Sequence, residues 1–158
     1  RDVERSRGLG DVYKRQKREY VEYYGSLVAE RIRKAGLAER LQIILPVPVH
    51  RSKLRKRGYN QAELLADVVG RRLDIPVDNG HLLRVSDTTP QKELSPLERA
   101  NNIKQALEVR ALPAEWKTVL LIDDIYTTGA TVQACTEALQ EAGVEQVYVG
   151  VICIGEGR

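Results

Sequence analysis

Residues 119–131, Val-Leu-Leu-Ile-Asp-Asp-Ile-Tyr-Thr-Thr-Gly-Ala-Thr, set two adjacent carboxylates just ahead of three threonine hydroxyls. Carboxylates accept hydrogen bonds from sugar hydroxyls, whereas hydroxyls and unpaired backbone N–H groups hold phosphate, so this order suits a sugar phosphate. Val119 to Ile122 is a short apolar run of the kind expected of a parallel strand covered on both faces. Asp123 and Asp124 then stand at its carboxyl end, where open α/β sheets bind ligands. Thr127, Thr128 and Thr131 supply hydroxyls and Gly129 permits unusual backbone angles. The helix opening at Ala130 adds N–H groups without helical partners and a dipole that favours an anion. The plainer reading is an acidic turn that caps a helix, but a cap needs only one Asp or Thr and leaves the other residues unexplained.

A chain of 158 residues is long enough for one domain with a real core and too short for two of ordinary size. The longest apolar runs, Ile43 to Val49 and Val147 to Ile154, reach about half of the roughly 20 residues a membrane helix needs, and Pro46 and Pro48 interrupt the first. The expectation is a protein with no membrane insertion. Cys135 and Cys153 fall in a predicted helix and a predicted strand without metal-ligand spacing, which reads as two reduced core residues and a cytoplasmic setting. The net charge is +3. Residues 1–16 carry five basic and three acidic side chains, so the remainder holds 20 against 19, or +1, and charge says little about partners. This first segment shows no helical or strand period and contains Gly8-Leu-Gly10; its end, Asp11 to Gln16, resembles the translation of a transposon end used in preparing sequencing libraries. Residues 1–16 are therefore expected to be a non-native or disordered leader, with the domain over 17–158.

The elements that must position the acidic pair follow from periodicity. Tyr20, Tyr23, Tyr24, Leu27, Val28 and Ile32 recur at helical spacing over 19–35, with Gly36 placed to end the helix. Leu41 to Val47 is the next strand and runs into a basic loop. Asn60-Gln-Ala-Glu63 resembles a capping box for a helix reaching about Leu73. Asp78-Asn79-Gly80 is a turn before a strand over 81–85, and Ser86 to Leu94 has no apolar period and reads as an exposed loop. Ser95-Pro-Leu-Glu98 caps a short helix to about Asn102, and 103–109 is a short strand. The strand at 118–122, a helix over 130–142 and a last strand over 146–153 complete the chain. Strands alternating with helices predict an α/β fold, a mainly parallel sheet flanked by helices.

The stretch around Asp123 and Asp124 resembles the phosphoribosyl-pyrophosphate (PRPP) motif of the type I phosphoribosyltransferases, in which apolar residues lead into two acidic residues and a T-T-G-x-T loop. Leu45-Pro-Val-Pro-Val-His50 with Lys53 through Arg57-Gly-Tyr-Asn-Gln-Ala-Glu63 is similar to the P-V-P-x-H and R-G-Y/F-N-Q-A-E signature of the ComF family. Arg84, Thr88, Gln91-Lys92, Leu94, Arg99, Asn101 to Ile103 and Ala106 are similar to that family's R-x-x-x-T-x-x-Q and R-x-x-N-V-x-x-A-F segment, with Leu107 in place of the usual Phe. The resemblance covers 17–153. ComF proteins commonly begin with a cysteine-rich zinc segment; no C-x-x-C occurs here, and no structural metal site is assigned.

The resemblance implies the type I phosphoribosyltransferase fold and a set of roles. Asp123 and Asp124 hold the ribose hydroxyls directly or through Mg²⁺, and Thr127, Thr128, Gly129, Ala130 and Thr131 hold the 5′-phosphate. The turn stiffened by Pro46 and Pro48 corresponds to the pyrophosphate loop, with Pro48, Val49, His50, Arg51 and Lys53 in it; a solvated basic loop is the alternative reading of its charges, and His50 could equally satisfy a backbone carbonyl. Arg84 to Lys92 corresponds to the mobile loop over PRPP, with Arg84, Thr88 and Gln91 in it. Lys92 and Arg99 are candidates for neutralising the departing pyrophosphate, or are surface charges. Trp116 reads as a packing residue. The implied activity is phosphoribosyl transfer from PRPP with Mg²⁺ to an unidentified acceptor. The alternative is a non-catalytic adaptor in DNA uptake during natural transformation, with weak single-stranded DNA contact or competence-machinery proteins as partners.

Overall fold

The computed structural model describes residues 2–87, 94–126 and 128–154, without the side chains of residues 2–10, 13, 153 and 154. Strands β1 (Ile43–Pro46), β4 (Thr118–Tyr126) and β5 (Gln146–Ile154) form a parallel sheet in the order β1-β4-β5. Ile44 lies opposite Leu120, and Leu121 opposite Val149. Because successive side chains alternate between faces, this sheet feeds two cores. Ile44, Leu120 and Ile122 meet α1 (Asp2–Lys34) and α3 (Gln61–Leu73) through Val21, Ile32, Leu65 and Val69. Ile43, Leu45, Val119 and Leu121 meet α5 (Ala130–Glu141) through Val132, Cys135 and Leu139. Each fully buried Leu or Ile contributes about 1.5–3 kcal/mol, so burial on both faces explains why these strands read as continuous apolar runs. The result is the expected α/β architecture, helices on both sides of a parallel sheet.

The remaining strands lie off that sheet. β2 (Leu82–Arg84) and β3 (Leu107–Val109) pair antiparallel, Leu82 opposite Val109 and Arg84 opposite Leu107, as a ribbon that adds Leu82, Leu107 and Val109 to the α5 side. Between them α4 (Pro96–Gln105) begins at the expected capping box: Ser95 Oγ accepts from Glu98 N at 3.2 Å and Glu98 Oε2 from Ser95 N at 3.0 Å. It runs past Asn102, so the strand expected from Ile103 starts at Leu107.

Several bounds differ from expectation. The first helix starts at Asp2 rather than Glu19, and continues through the segment that shows no helical period. The side chains described between 11 and 20 are exposed or half-buried, so no apolar stripe marks this part. Extending an existing helix avoids the cost of nucleating one, so a helix can run on without an apolar stripe of its own. The basic stretch after β1 is a short helix, α2 (Arg51–Arg57), rather than a loop. His50 caps its start, and Gly58 at φ 79° ends it, donating N–H to Leu54 O at 2.7 Å. β4 continues to Tyr126 because β5 stays paired with it as far as Ile154, so Asp123 and Asp124 lie within a strand instead of following it. β1 stops at Pro46, opposite Ile122, and the acidic pair thus still stands beyond the carboxyl end of its neighbour. Among the described residues no helix is long and apolar enough to cross a membrane.

Candidate functional site

The acidic pair is held by its own backbone. Asp124 N donates to Asp123 Oδ1 at 2.8 Å, which fixes the half-buried Asp123 carboxyl between the sheet and α5. Burial first, and then the adjoining Asp124 carboxylate, push the Asp123 pKa up to about 7. A carboxyl so placed gains from any partner that brings positive charge or hydroxyl donors, which a ribose diol or a cation would do. Among the described residues no group of three or more His, Cys, Asp and Glu could form a metal cage. Two carboxylates fit Mg²⁺ only as a shared ion whose other ligands are water and phosphate oxygens, the usual habit of an ion that dehydrates reluctantly.

Asp123 shares a small cavity of about 30 Å³ with Thr128, Gly129, Ala130 and Thr131. Thr128 Oγ1 accepts from Ala130 N at 3.3 Å and so occupies one of the N–H groups at the start of α5. Gly129 has φ 77°, a region that L side chains rarely adopt, and a Cβ there would fall 2.7 Å from Cζ of Tyr126. The Tyr126 ring therefore lies on the Thr128–Thr131 loop. With that half-exposed ring in place the cavity is about the size of one water, smaller than a phosphate. Tyr126 lines this cavity and was passed over in the sequence reading; its position between the acids and the threonines was the available signal. Thr127 lies outside the described residues.

The second part of the site stands on the neighbouring strand. Val47 N donates to Ile122 O at 2.8 Å, completing the Pro46–Ile122 pair, so the chain leaves β1 level with Asp123 on the neighbouring strand. From there Pro48, Val49, His50 and Arg51 line a cavity of about 650 Å³, lined also by Leu82 and Arg84 of β2 and by Arg110 just past β3. Such a volume accommodates a small ligand. Asn60 ties the loop to α3: its Nδ2 donates to Val47 O at 3.1 Å and its Oδ1 accepts from Ala62 N at 3.1 Å. His50 Nδ1 accepts from Ser52 N at 3.2 Å, so this ring satisfies a backbone donor while facing the cavity. Ser52 and Asp87 join it through the Ser52 hydroxyl, a pair that no periodicity or motif flagged.

Not every candidate converges. Lys53 is exposed and, like Asp124, lines neither cavity. Arg99, half-buried on α4, also lines neither. Thr88, Gln91 and Lys92 lie outside the described residues. Cys135 is fully buried and burial pushes its thiol up to about 12, which removes it from nucleophilic chemistry. The Trp116 ring packs edge-on against His81 at 5.0 Å, a packing role as expected.

The family model "Phosphoribosyl transferase domain" matches residues 59–157, and the chain belongs to that family. Within it the likeness is to ComF-type proteins. Competence protein F of Haemophilus influenzae is 38% identical over 110 residues, 68% of this chain and 48% of that one. DNA utilization protein YhgH of Escherichia coli K12 is 32% identical over 110 residues, 70% of this chain and 48% of that one. The chain thus spans about half the length of the curated relatives it matches. Adenine phosphoribosyltransferase from Leishmania tarentolae superposes with a TM-score of 0.51 over 83% of this chain and 56% of that one; at 18% identity this likeness concerns the fold alone.

Proposed function

We propose that this domain binds PRPP with Mg²⁺ across the ends of β1 and β4, and transfers its phosphoribosyl group to a nucleophilic acceptor. The observation that carries the reading is the continuity of β4, the Thr128–Thr131 loop and α5, which holds a carboxylate pair and an anion cradle together beside the Pro48–Arg51 cavity. In this reading Asp123 and Asp124 accept from the ribose hydroxyls, Thr128 to Thr131 hold the 5′-phosphate through hydroxyl and backbone donors, and His50, Arg51 and Arg84 face the pyrophosphate. Mg²⁺, shared by Asp123, Asp124 and the ligand, would supply charge neutralisation. The bond from the sugar's anomeric carbon to pyrophosphate breaks, one to the acceptor forms, and the acceptor's proton leaves to solvent. The chain's own part is positioning and charge stabilisation.

A second reading is favoured by the names of the relatives, Competence protein F and DNA utilization protein YhgH: an adaptor in DNA uptake that binds PRPP as a signal, or does not bind it. Calorimetry with PRPP and Mg²⁺, followed by a pyrophosphate-release screen against purine, pyrimidine and amine acceptors, separates the two. Binding with release supports the transferase, and binding without release the adaptor. No heat and no thermal shift at millimolar PRPP would remove the PRPP reading altogether.

A further inference from the structure

Ser52 follows the cavity-lining His50 and Arg51, and its hydroxyl stands between His50 and Asp87, three residues past the end of β2. It donates to Asp87 Oδ2 at 2.9 Å and lies 2.9 Å from His50 Nδ1. One hydroxyl proton cannot serve both, and since Nδ1 already accepts from Ser52 N, the proton belongs to the carboxylate. Asp87 is an exposed aspartate brought across 35 residues of sequence to this hydroxyl. The Ser52 bond, His50, Lys53 and Arg84 all favour its charged form and hold its carboxyl below the usual range. Each of these groups lies at the start of α2, His50 to Lys53, or on β2, and His50 and Arg84 line the cavity itself. An anionic oxygen thus already sits where the start of α2 offers a hydroxyl donor among cations.

We propose that the Asp87 carboxylate is an internal competitor for the pyrophosphate seat: it occupies the Ser52 hydroxyl among His50, Lys53 and Arg84, and a pyrophosphate group binds there by displacing it. This rests on the PRPP reading of the site and adds its regulation. Once Asp87 is displaced, the Ser52 hydroxyl donates to a phosphate oxygen, and the displaced carboxylate stands as a like charge next to the ligand. The seat therefore favours polyanions able to outcompete a single carboxylate, pyrophosphate over orthophosphate.

The test is calorimetric titration of wild type, Asp87→Asn and Asp87→Ala with inorganic pyrophosphate, with and without Mg²⁺, and in parallel with ribose 5-phosphate. Asparagine keeps an acceptor for Ser52 without the charge, and Asp87 is exposed, so both variants fold as wild type by melting temperature. Removing a like charge at a few ångströms near the surface is expected to tighten pyrophosphate binding roughly fivefold in both variants, less at high salt, with ribose 5-phosphate unchanged. Unchanged or weaker pyrophosphate binding in the variants overturns the inference; if ribose 5-phosphate still binds, the PRPP reading stands. A loss of binding seen only with Mg²⁺ would make Asp87 a metal ligand instead. Failure of all three proteins to bind either compound removes the PRPP reading, and the inference with it.

Discussion

Asp123 carries a charge that the fold works against, and this has a measurable sign. The folded carboxyl keeps its proton up to about pH 7, whereas an ordinary aspartate releases it near 3.8. Between those values the folded state binds more protons than the unfolded one, so stability is greatest at the acidic end of the window and falls as pH rises through it. Asp123→Asn should remove this dependence and raise the melting temperature at pH 8. The effect is on the order of 2 kcal/mol once partial solvent access is allowed for, or about 4–8 °C. A thermal melt series from pH 5 to 8 checks it; a wild type that gains stability toward pH 8 would contradict the burial argument. The same substitution, and Asp124→Asn, should abolish PRPP binding in calorimetry. Stability lost with binding intact would mark the pair as structural. Gly129→Val should also block PRPP, because a β-branched residue at φ 77° collides with the Tyr126 ring where the anion must approach.

At the scale of elements, the joint between β1 and α3 decides whether both halves of the site face each other. Asn60 ties the two by hydrogen bonds, capping α3 with its side-chain carbonyl and donating its amide to Val47 O. Asn60→Ala removes both bonds and should cost about 1–2 kcal/mol, a melting-temperature drop of roughly 2–8 °C. It should also weaken PRPP binding more than that loss implies, because the Pro48–Arg51 turn is no longer held. Equal losses in a second α3 surface variant would show that only stability had changed. Much of this architecture was legible because burial on both sheet faces writes apolar runs at 43–47, 118–122 and 146–153, and because the Asn60 and Ser95 caps use local side-chain chemistry. What escaped has the opposite physics. The side chains described at 11–20 of α1 include no buried apolar residue, and α2 buries none of its residues, so neither leaves a periodic trace. The Ser52–Asp87 contact and the Tyr126 ring over Gly129 depend on tertiary placement of single polar or aromatic residues. No spacing rule predicts those.

For the molecule as a whole, the question is whether the fold meets nucleic acid, as the names of its relatives invite one to ask. The charge is +3 over 158 residues, too little to steer DNA from a distance. A dense cationic element beside the larger cavity is α2, where Arg51, Lys53, Arg55, Lys56 and Arg57 are all exposed; Lys14, Arg15, Lys17 and Arg18 form a second on α1. Tyr59 is the neighbouring aromatic, and base stacking needs a series of such rings. Single-stranded DNA should therefore bind weakly, without sequence preference and with steep salt dependence, each phosphate contact adding about −0.7 to the logarithmic slope. Because α2 begins at the wall of the larger cavity, PRPP or pyrophosphate should compete with DNA. Reversing Arg55, Lys56 and Arg57, which do not line that cavity, should remove most DNA binding while leaving the PRPP-induced thermal shift in place. Fluorescence anisotropy of a labelled oligonucleotide across a salt series, in wild type and the reversed variant, reads both effects. Submicromolar affinity at physiological salt that survives the reversal would place the DNA surface elsewhere on the fold.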